Sequence, residues 1–401
     1  MKILMLGWEL PPHNSGGLGV ACYRLCKALS NVGADIEFVI PYEGEYDTSF
    51  MNVTSSYAVH YNDVVEHLFP YDNTIYNKSS THSTHIDIDG QLLRYEHAVA
   101  KIVSAQQFDV IHAHDWLTFR AALRAKEISG RPLILHVHSI ERDRSGGNSG
   151  DPFKREIEAT VMHLADKIIA VSNKTKQDII DDYWIPADKI EVVYNSIDTS
   201  DFDIEDLDQN SYTYLTKLRE LGYRIVVNVG RITIQKGLPN LLYAAKDVLK
   251  HAPKTMFLFV GDGDMYYEMI ELAANLGISR NVLFAGFQRG KKWRDAYQAS
   301  DLFVMPSISE PFGITPLEAV GYRKPTIVSK QSGVTEILKN CLKVDYWDVH
   351  ELANDITAIV QNDSLAYELS SNAYEEYKKL SWSDSARDMM NIYNKHTEQL
   401  V

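Results

Sequence analysis

Side chains do chemistry most readily where an apolar strand delivers them to its carboxyl end, and three such places stand out in this 401-residue sequence. The apolar run Ile225–Val229 leads into Gly230-Arg231-Ile232-Thr233-Ile234-Gln235-Lys236-Gly237. Arg231 offers a planar guanidinium fork and Lys236 a point charge. That pair suits a diphosphate, with charge-assisted bonds worth about 1.5–3 kcal/mol each. The run Leu302–Met305 leads into Glu310-Pro311-Phe312-Gly313-Ile314-Thr315-Pro316-Leu317-Glu318. Thr315 suits a helix N-cap, Pro316 the first helical position and Glu318 the third, which is the spacing of a capping box behind a turn at Gly313. A helix starting there points its free amide hydrogens, and about half a positive charge, at an anion such as phosphate. Capping explains Glu318 but leaves Glu310 over, as a carboxylate on the rim. The third place is Asn14-Ser15-Gly16-Gly17-Leu18-Gly19 after the first strand, where glycines let backbone amides approach a ligand closely. Neither this turn nor Gly261-Asp262-Gly263-Asp264-Met265-Tyr266 completes the dinucleotide fingerprint, so a nicotinamide cofactor has little support.

Histidines end two further strands, in His112-Ala113-His114-Asp115-Trp116 and Leu135-His136-Val137-His138-Ser139. Alternation sends His112 and His114 to one face, and His136 and His138 likewise to one face. The cysteines lie elsewhere in the sequence and no helical His-Glu-x-x-His occurs, so no metal is expected. A hydrogen-bonding role toward a neutral polyhydroxyl ligand fits better, with His112 and His136 as structural histidines. Asp87-Ile88-Asp89 resembles a magnesium-diphosphate motif, but it precedes Gly90 and reads as a turn. Arg289, Lys291, Lys292 and Arg294 around Trp293 read as a solvated helix start.

The elements that must position these residues alternate. Strand, glycine-rich turn, helix and strand open the chain, and near-continuous apolar runs recur at helix-sized intervals, the pattern of a parallel sheet covered on both faces. An acid-rich stretch from Asp198 to Asp208 interrupts the pattern and reads as a solvated linker, and Tyr71 to His85 reads as a long polar loop. The expected fold class is therefore α/β, with two Rossmann-like doubly wound domains facing a cleft. An N-terminal domain over 1–200 is followed by a second over 201–382, with a terminal amphipathic helix from Ser383 or Asp384, over 383–401. Lys and Arg number 40 against 54 Asp and Glu, a net charge of -14 that disfavours nucleic acid and anionic membranes as partners. No run of about 18 apolar residues predicts a transmembrane segment, and peripheral membrane contact stays open. Three cysteines make no disulfide framework, so a reducing, cytoplasmic setting is expected.

Taken together, the NSGGLG turn, HAHDW, the strand ending at His138, the GR-x4-KG loop, the E-x7-E segment and Ser332-Gly333-Val334-Thr335-Glu336 resemble the retaining two-Rossmann (GT-B) glycosyltransferases. That group includes glycogen synthase and sucrose-phosphate synthase. The resemblance implies transfer of a sugar, glucose by preference, from UDP- or ADP-glucose to a carbohydrate hydroxyl, as in α-glucan synthesis, with no metal or other cofactor. Arg231 and Lys236 would meet the donor's diphosphate with the amides of Gly313, Ile314 and Thr315. Glu318 would hold the ribose and Glu310 the donor sugar, and Gly16 and Gly17 would approach the diphosphate. His138 would lie by the reacting carbon, with Asp115 and Trp116 on the acceptor side, and the terminal helix over 383–401 would pack back on the first domain. Glycogen synthases commonly carry a lysine where this chain has Asn14, which weakens that one assignment. A transferase of a cell-surface glycan or glycolipid, and a nucleotide-sugar 2-epimerase, remain as alternatives.

Overall fold

The computed structural model describes residues 1–14, 16–46, 48–58, 88–198 and 211–398. The chain divides into two compact units, one of Met1–Arg144, Ser149–Ser196 and Ser381–Val401, the other of Ser145–Asn148 and Ile197–Leu380. The loop expected over Tyr71 to His85 lies outside the described residues, as does nearly all of the acidic linker after Asp198.

In the first unit the order is β1 (Lys2–Leu6), α1 (Gly17–Asn31), β2 (Asp35–Ile40), β3 (Asn52–Ser55), α2 (Ile88–Ala105), β4 (Val110–His114), α3 (Trp116–Ser129), β5 (Leu133–Val137), a single turn of helix α4 (Glu141–Arg144), α5 (Pro152–Leu164), β6 (Lys167–Ala170), α6 (Asn173–Tyr183) and β7 (Ile190–Val192). The strands form one parallel sheet in the order β3-β2-β1-β4-β5-β6-β7. Leu4, Leu6, Ile111, Leu133, Leu135 and Ile168 are buried in its core. Removing each such side chain from water contributes about 1.5–3 kcal/mol. Asp89 falls in the first turn of α2, so the expected turn before Gly90 is instead the start of a helix. The Ile88, Leu92, Tyr95, Val99 and Val103 spacing that drives this helix onto α3 outweighs the glycine.

The second unit contains α7 (Thr213–Glu220), β8 (Arg224–Val229), α8 (Leu238–His251), β9 (Thr255–Val260), α9 (Tyr266–Asn275), β10 (Val282–Phe284), α10 (Gly290–Ala299), β11 (Leu302–Met305), α11 (Ile314–Gly321), β12 (Thr326–Ser329), β13 (Leu342–Val344), α12 (Val349–Gln361) and α13 (Asp363–Tyr377). Its parallel sheet runs β10-β9-β8-β11-β12-β13. In each sheet the order reverses between two neighbours, β1 and β4 in one, β8 and β11 in the other. The loops that leave those strands diverge to opposite sides and open a crevice at their carboxyl ends.

The last helix, α14 (Trp382–Thr397), belongs to the first unit and packs on α1. Its N-cap is Ser381, which accepts from the Ser383 amide, rather than Ser383 or Asp384. Trp382 can therefore enter the helix as its first buried residue.

Candidate active site

In the second unit the switch point is flanked by the loops after β8 and β11, and three bonds tie them together. The Ile308 amide donates to the Gln235 carbonyl at 2.9 Å, Gln235 Nε2 donates to the Ser309 carbonyl at 3.0 Å, and Lys236 Nζ meets Glu310 Oε2 at 2.5 Å. Ser307 Oγ donates to the same Glu310 oxygen at 3.1 Å. Glu310 is only 7% exposed, so this ion pair is shielded from water and holds the carboxylate in one orientation. An ammonium has three donors, and one is used here, which leaves Lys236 able to meet an incoming phosphate. Arg231 lies across the same loop with Nη2 at 3.5 Å from Gln235 Oε1.

Gly237 closes this loop in the left-handed region at φ +62, where a Cβ would stand 2.3 Å from the Pro306 carbonyl oxygen. Only glycine fits both the dihedral and the gap. A Cβ on Gly261 would come within 1.8 Å of the Gly230 carbonyl oxygen, so the GDGD stretch serves close packing of the loops after β8 and β9. The late SGVTE segment also finds its role in this unit. Glu310 N donates to Gln331 O, Gly333 N to Glu310 O and Val334 N to Phe312 O, so the segment pins the Glu310–Phe312 backbone from behind.

The expected capping box is not formed. Gly313, at φ +99, is the N-cap of α11, the helix begins at Ile314, and no side chain caps it. Thr315 is thus the second helical residue, with its Oγ1 toward Met305 Sδ at 3.8 Å. The first-turn amides of an α-helix have no partner within the helix. Those of Ile314 and Thr315 lie in this first turn, behind Gly313. Freed from capping, Glu318 Oε2 accepts from Tyr297 Oη at 2.7 Å. Tyr297 is itself stacked on Tyr322 and edged by Trp293. Burial pushes the Glu318 carboxyl up to about 7, against the lowering pull of the Tyr297 hydroxyl. The Tyr297 partner, Gln235 and Ser307 were missed by motif reading, because tertiary packing alone brings them to the site. Lys291 pairs with Asp295 across the start of α10 rather than forming an open basic patch.

In the first unit Asn14 Nδ2 donates to the Gly16 carbonyl at 2.9 Å, bracing the turn before α1 in place of a cation. A Cβ on Gly16 would meet nothing within 4 Å, whereas one on Gly19 would strike Asn14 and Glu9. Gly17, the first residue of α1, is exposed. Gly19 is thus required by the fold, while Gly16 and Gly17 leave open surface beside a helix N-terminus.

Asp115 and Trp116, expected on the acceptor side, are 2% and 1% exposed, so their contacts here are with the protein. Asp115 Oδ1 accepts from the amides of His138, at 2.6 Å, and Ser139, at 3.3 Å, which makes it a brace for the turn carrying His138. Asp115 sits at φ +56, a strained backbone for a non-glycine residue. Burial raises its carboxyl to about 7, opposed by Arg144 and the two amides. Trp116 packs beneath the cations of Arg144 and Lys154. Arg144, paired with Glu141 at 3.0 Å and Glu158 at 2.5 Å, also donates to Ser139, so a buried ion network supports the same turn.

The four histidines converge. His114 pairs with His136 across β4 and β5, and the rings of His112, His114, His136 and His138 lie 4.3–5.3 Å from their neighbours. His138 is half-buried at the end of the row. Its Nε2 lies 3.0 Å from His114 Nδ1. With His114 as donor, His138 keeps Nδ1–H to offer outward. Burial holds His138 down near 3, so it is a neutral hydrogen-bonding group. Cys22, distant in sequence, is carried by α1 to within 4.8 Å of ring nitrogens of His114 and His138, which overturns the expectation that the cysteines lie elsewhere.

Among the described residues no helix is long and apolar enough to cross a membrane. The sequence pattern of glycosyl transferases group 1 matches residues 216–376, and that of glycosyltransferase family 4 matches residues 15–201. An uncharacterised glycosyltransferase of Methanocaldococcus jannaschii is 28% identical over 98% of both chains. A glycogen synthase of Mycobacterium tuberculosis is 24% identical over 85% of this chain and 80% of its own. The crystal structure of Anabaena HepE in complex with UDP-glucose superposes with a TM-score of 0.72 at 22% identity, covering 98% of this chain and 100% of that one. Both units thus have the Rossmann-like form of the GT-B fold.

Proposed function

Because the chain belongs to the glycosyl transferases group 1, with a family 4 pattern over its first half, we propose that it moves glucose from UDP-glucose or ADP-glucose to a carbohydrate hydroxyl, with retention at the anomeric carbon. The observation that carries this reading is the shielded Lys236–Glu310 pair set beside the glycine-headed α11. Departure of a nucleoside diphosphate builds negative charge on its β-phosphate. Arg231, the remaining Lys236 donors and the amides of Gly313, Ile314 and Thr315 stabilise that charge without a divalent ion. Glu318 takes the ribose hydroxyls and Glu310, oriented by Lys236 and Ser307, takes the donor sugar. His138 donates a hydrogen bond near the reacting carbon, and the leaving phosphate accepts the acceptor's proton. The UDP-glucose bound to HepE and the kinship to a glycogen synthase support glucose as the sugar and an α-glucan as the product. The free, buried thiols fit a cytoplasmic setting.

The test is product analysis with UDP- and ADP-glucose, with and without maltooligosaccharide, in EDTA. Released nucleotide diphosphate and an elongated oligosaccharide, with the α-anomeric proton coupling in its NMR spectrum, are expected. An isomerised sugar formed without acceptor points to the 2-epimerase. Nucleotide release only with lipid-linked or surface-glycan acceptors moves the acceptor class. Donor binding that magnesium alone restores overturns the metal-free mechanism.

A further inference from the structure

The histidine row holds more nitrogen lone pairs than protein partners. His112 and His136 are buried, and among the described residues His112 Nε2 and both ring nitrogens of His136 have no hydrogen-bond partner. A buried imidazole nitrogen left unsatisfied costs about 1–3 kcal/mol, so three in one place call for an occupant. One nitrogen from each of His112, His114 and His136 lies within 4.8 Å of the others. Nitrogens bound to one tetrahedral ion at about 2.0–2.1 Å stand roughly 3.4 Å apart, a closure that small ring rotations supply.

The surroundings set the tautomers for ligation. His112 Nδ1 is hydrogen-bonded to Tyr393 Oη, which directs Nε2 inward. His114 Nδ1 is engaged by His138, which directs Nε2 inward as well, and there it touches Met5 Sδ at 3.1 Å. Met5 stands opposite His112 in the β1–β4 register, so its thioether is on the same face. Metal-bound histidines characteristically commit their second nitrogen to such an outer partner. The other cluster, Cys22 with His114 and His138, is the weaker candidate, since burial raises the Cys22 thiol and disfavours the thiolate a metal needs.

We infer that His112, His114 and His136, with Met5 as a soft fourth donor, form a binding site for a late transition-metal ion of the zinc or copper(I) class in the first unit. Three imidazoles and a thioether match those ions and not magnesium, whose preference is oxygen. The site stands apart from the glycosyltransferase reading, because none of its ligands is assigned to donor or acceptor.

The test uses the whole protein, unfolded in guanidinium with EDTA, then refolded with zinc sulfate or with copper(I) under reductant, and desalted. About one ion per chain by plasma mass spectrometry, for either metal, is expected. Cobalt(II) taken up in the same way should give the visible absorption of a four-coordinate ion. His136→Asn should abolish retention, and Tyr393→Phe should weaken it roughly 10- to 100-fold while the far-ultraviolet dichroism stays unchanged. Should His136→Asn fail to refold, competition of the wild-type ion against graded chelators decides the matter. Wild-type protein that retains neither metal above the buffer blank, or a folded His136→Asn variant that retains as much as wild type, overturns the site. Failure of sugar transfer leaves the ion count unaffected, so the two readings fail separately.

Discussion

The carboxyl ends of the two parallel sheets share a backbone geometry and carry contrasting side chains. After β8 and β11 come Arg231, held beside Gln235, the Lys236–Glu310 pair, and Glu318 in the first turns of α11, held by Tyr297. In the first unit neutral imidazoles lie along the ends of β4 and β5 and, at His138, just past β5, and the nearby Asp115, Arg144 and Glu158 are buried behind the turn that they brace. A doubly wound sheet therefore supplies a location, and the residues at the loop starts decide whether it faces an anion or an uncharged ligand.

That contrast can be broken most sharply at Arg231. Arg231→Ala is expected to lower turnover on a nucleotide-sugar donor by about 100- to 1,000-fold with a melting curve close to wild type. Near-normal turnover in the folded variant would remove the second unit's claim to the departing charge. Gly237→Ala comes next, because its Cβ meets the Pro306 carbonyl at a positive φ. A loss of about 1–3 kcal/mol in urea unfolding, with weakened nucleotide binding, is expected from strain alone.

A gentler test is pH. Glu318 titrates near 7 in the fold and near 4.5 when unfolded, so the folded state retains the proton longer. Two consequences follow with opposite signs. Its contribution to stability falls as pH climbs from about 4.5 to about 7, whereas affinity for UDP rises through that range because ribose hydroxyls need the carboxylate. UDP binding about tenfold weaker at pH 6 than at pH 8, measured by calorimetry and flattened by Glu318→Gln, is the expected result. A profile that Glu318→Gln leaves unchanged assigns the ribose elsewhere.

The smallest effect on the fold belongs to Gly16→Ala. Its extended backbone and open surroundings predict a stability change within about 0.5 kcal/mol. A clear rise in the KM for donor would mean that the glycine serves ligand approach. No kinetic change would leave the first unit's glycine turn without a part in donor binding.

Much of this was legible in advance, for identifiable reasons. Apolar runs separated by helical stretches dictate a parallel sheet, since each strand must bury both faces. Arg231, Lys236 and Glu310 lie in the loops that leave β8 and β11, so local order sufficed to put them at the sheet's carboxyl end. Other features resisted reading. A capping box and a helix headed by glycine share the same residues at Thr315-Pro316-Leu317-Glu318. Only the contact with Tyr297, supported by Tyr322 and Trp293, draws Glu318 out of the cap. Asp115 and Trp116 came to the acceptor side only through the family resemblance, and the packing of Trp116 under Arg144 and Lys154 that buries this corner is long-range.

From residue order alone came the α/β class, the two-part organisation and the positions proposed to meet a diphosphate, because strand periodicity and turn chemistry are short-range properties. The Lys236–Glu310 pair, the Asp115 brace beneath His138 and the gathering of four histidines with Met5 and Cys22 needed the tertiary structure. Those contacts join positions up to a hundred or more residues apart, and only the register of neighbouring strands and the seating of α1 and α14 determine which side chains meet.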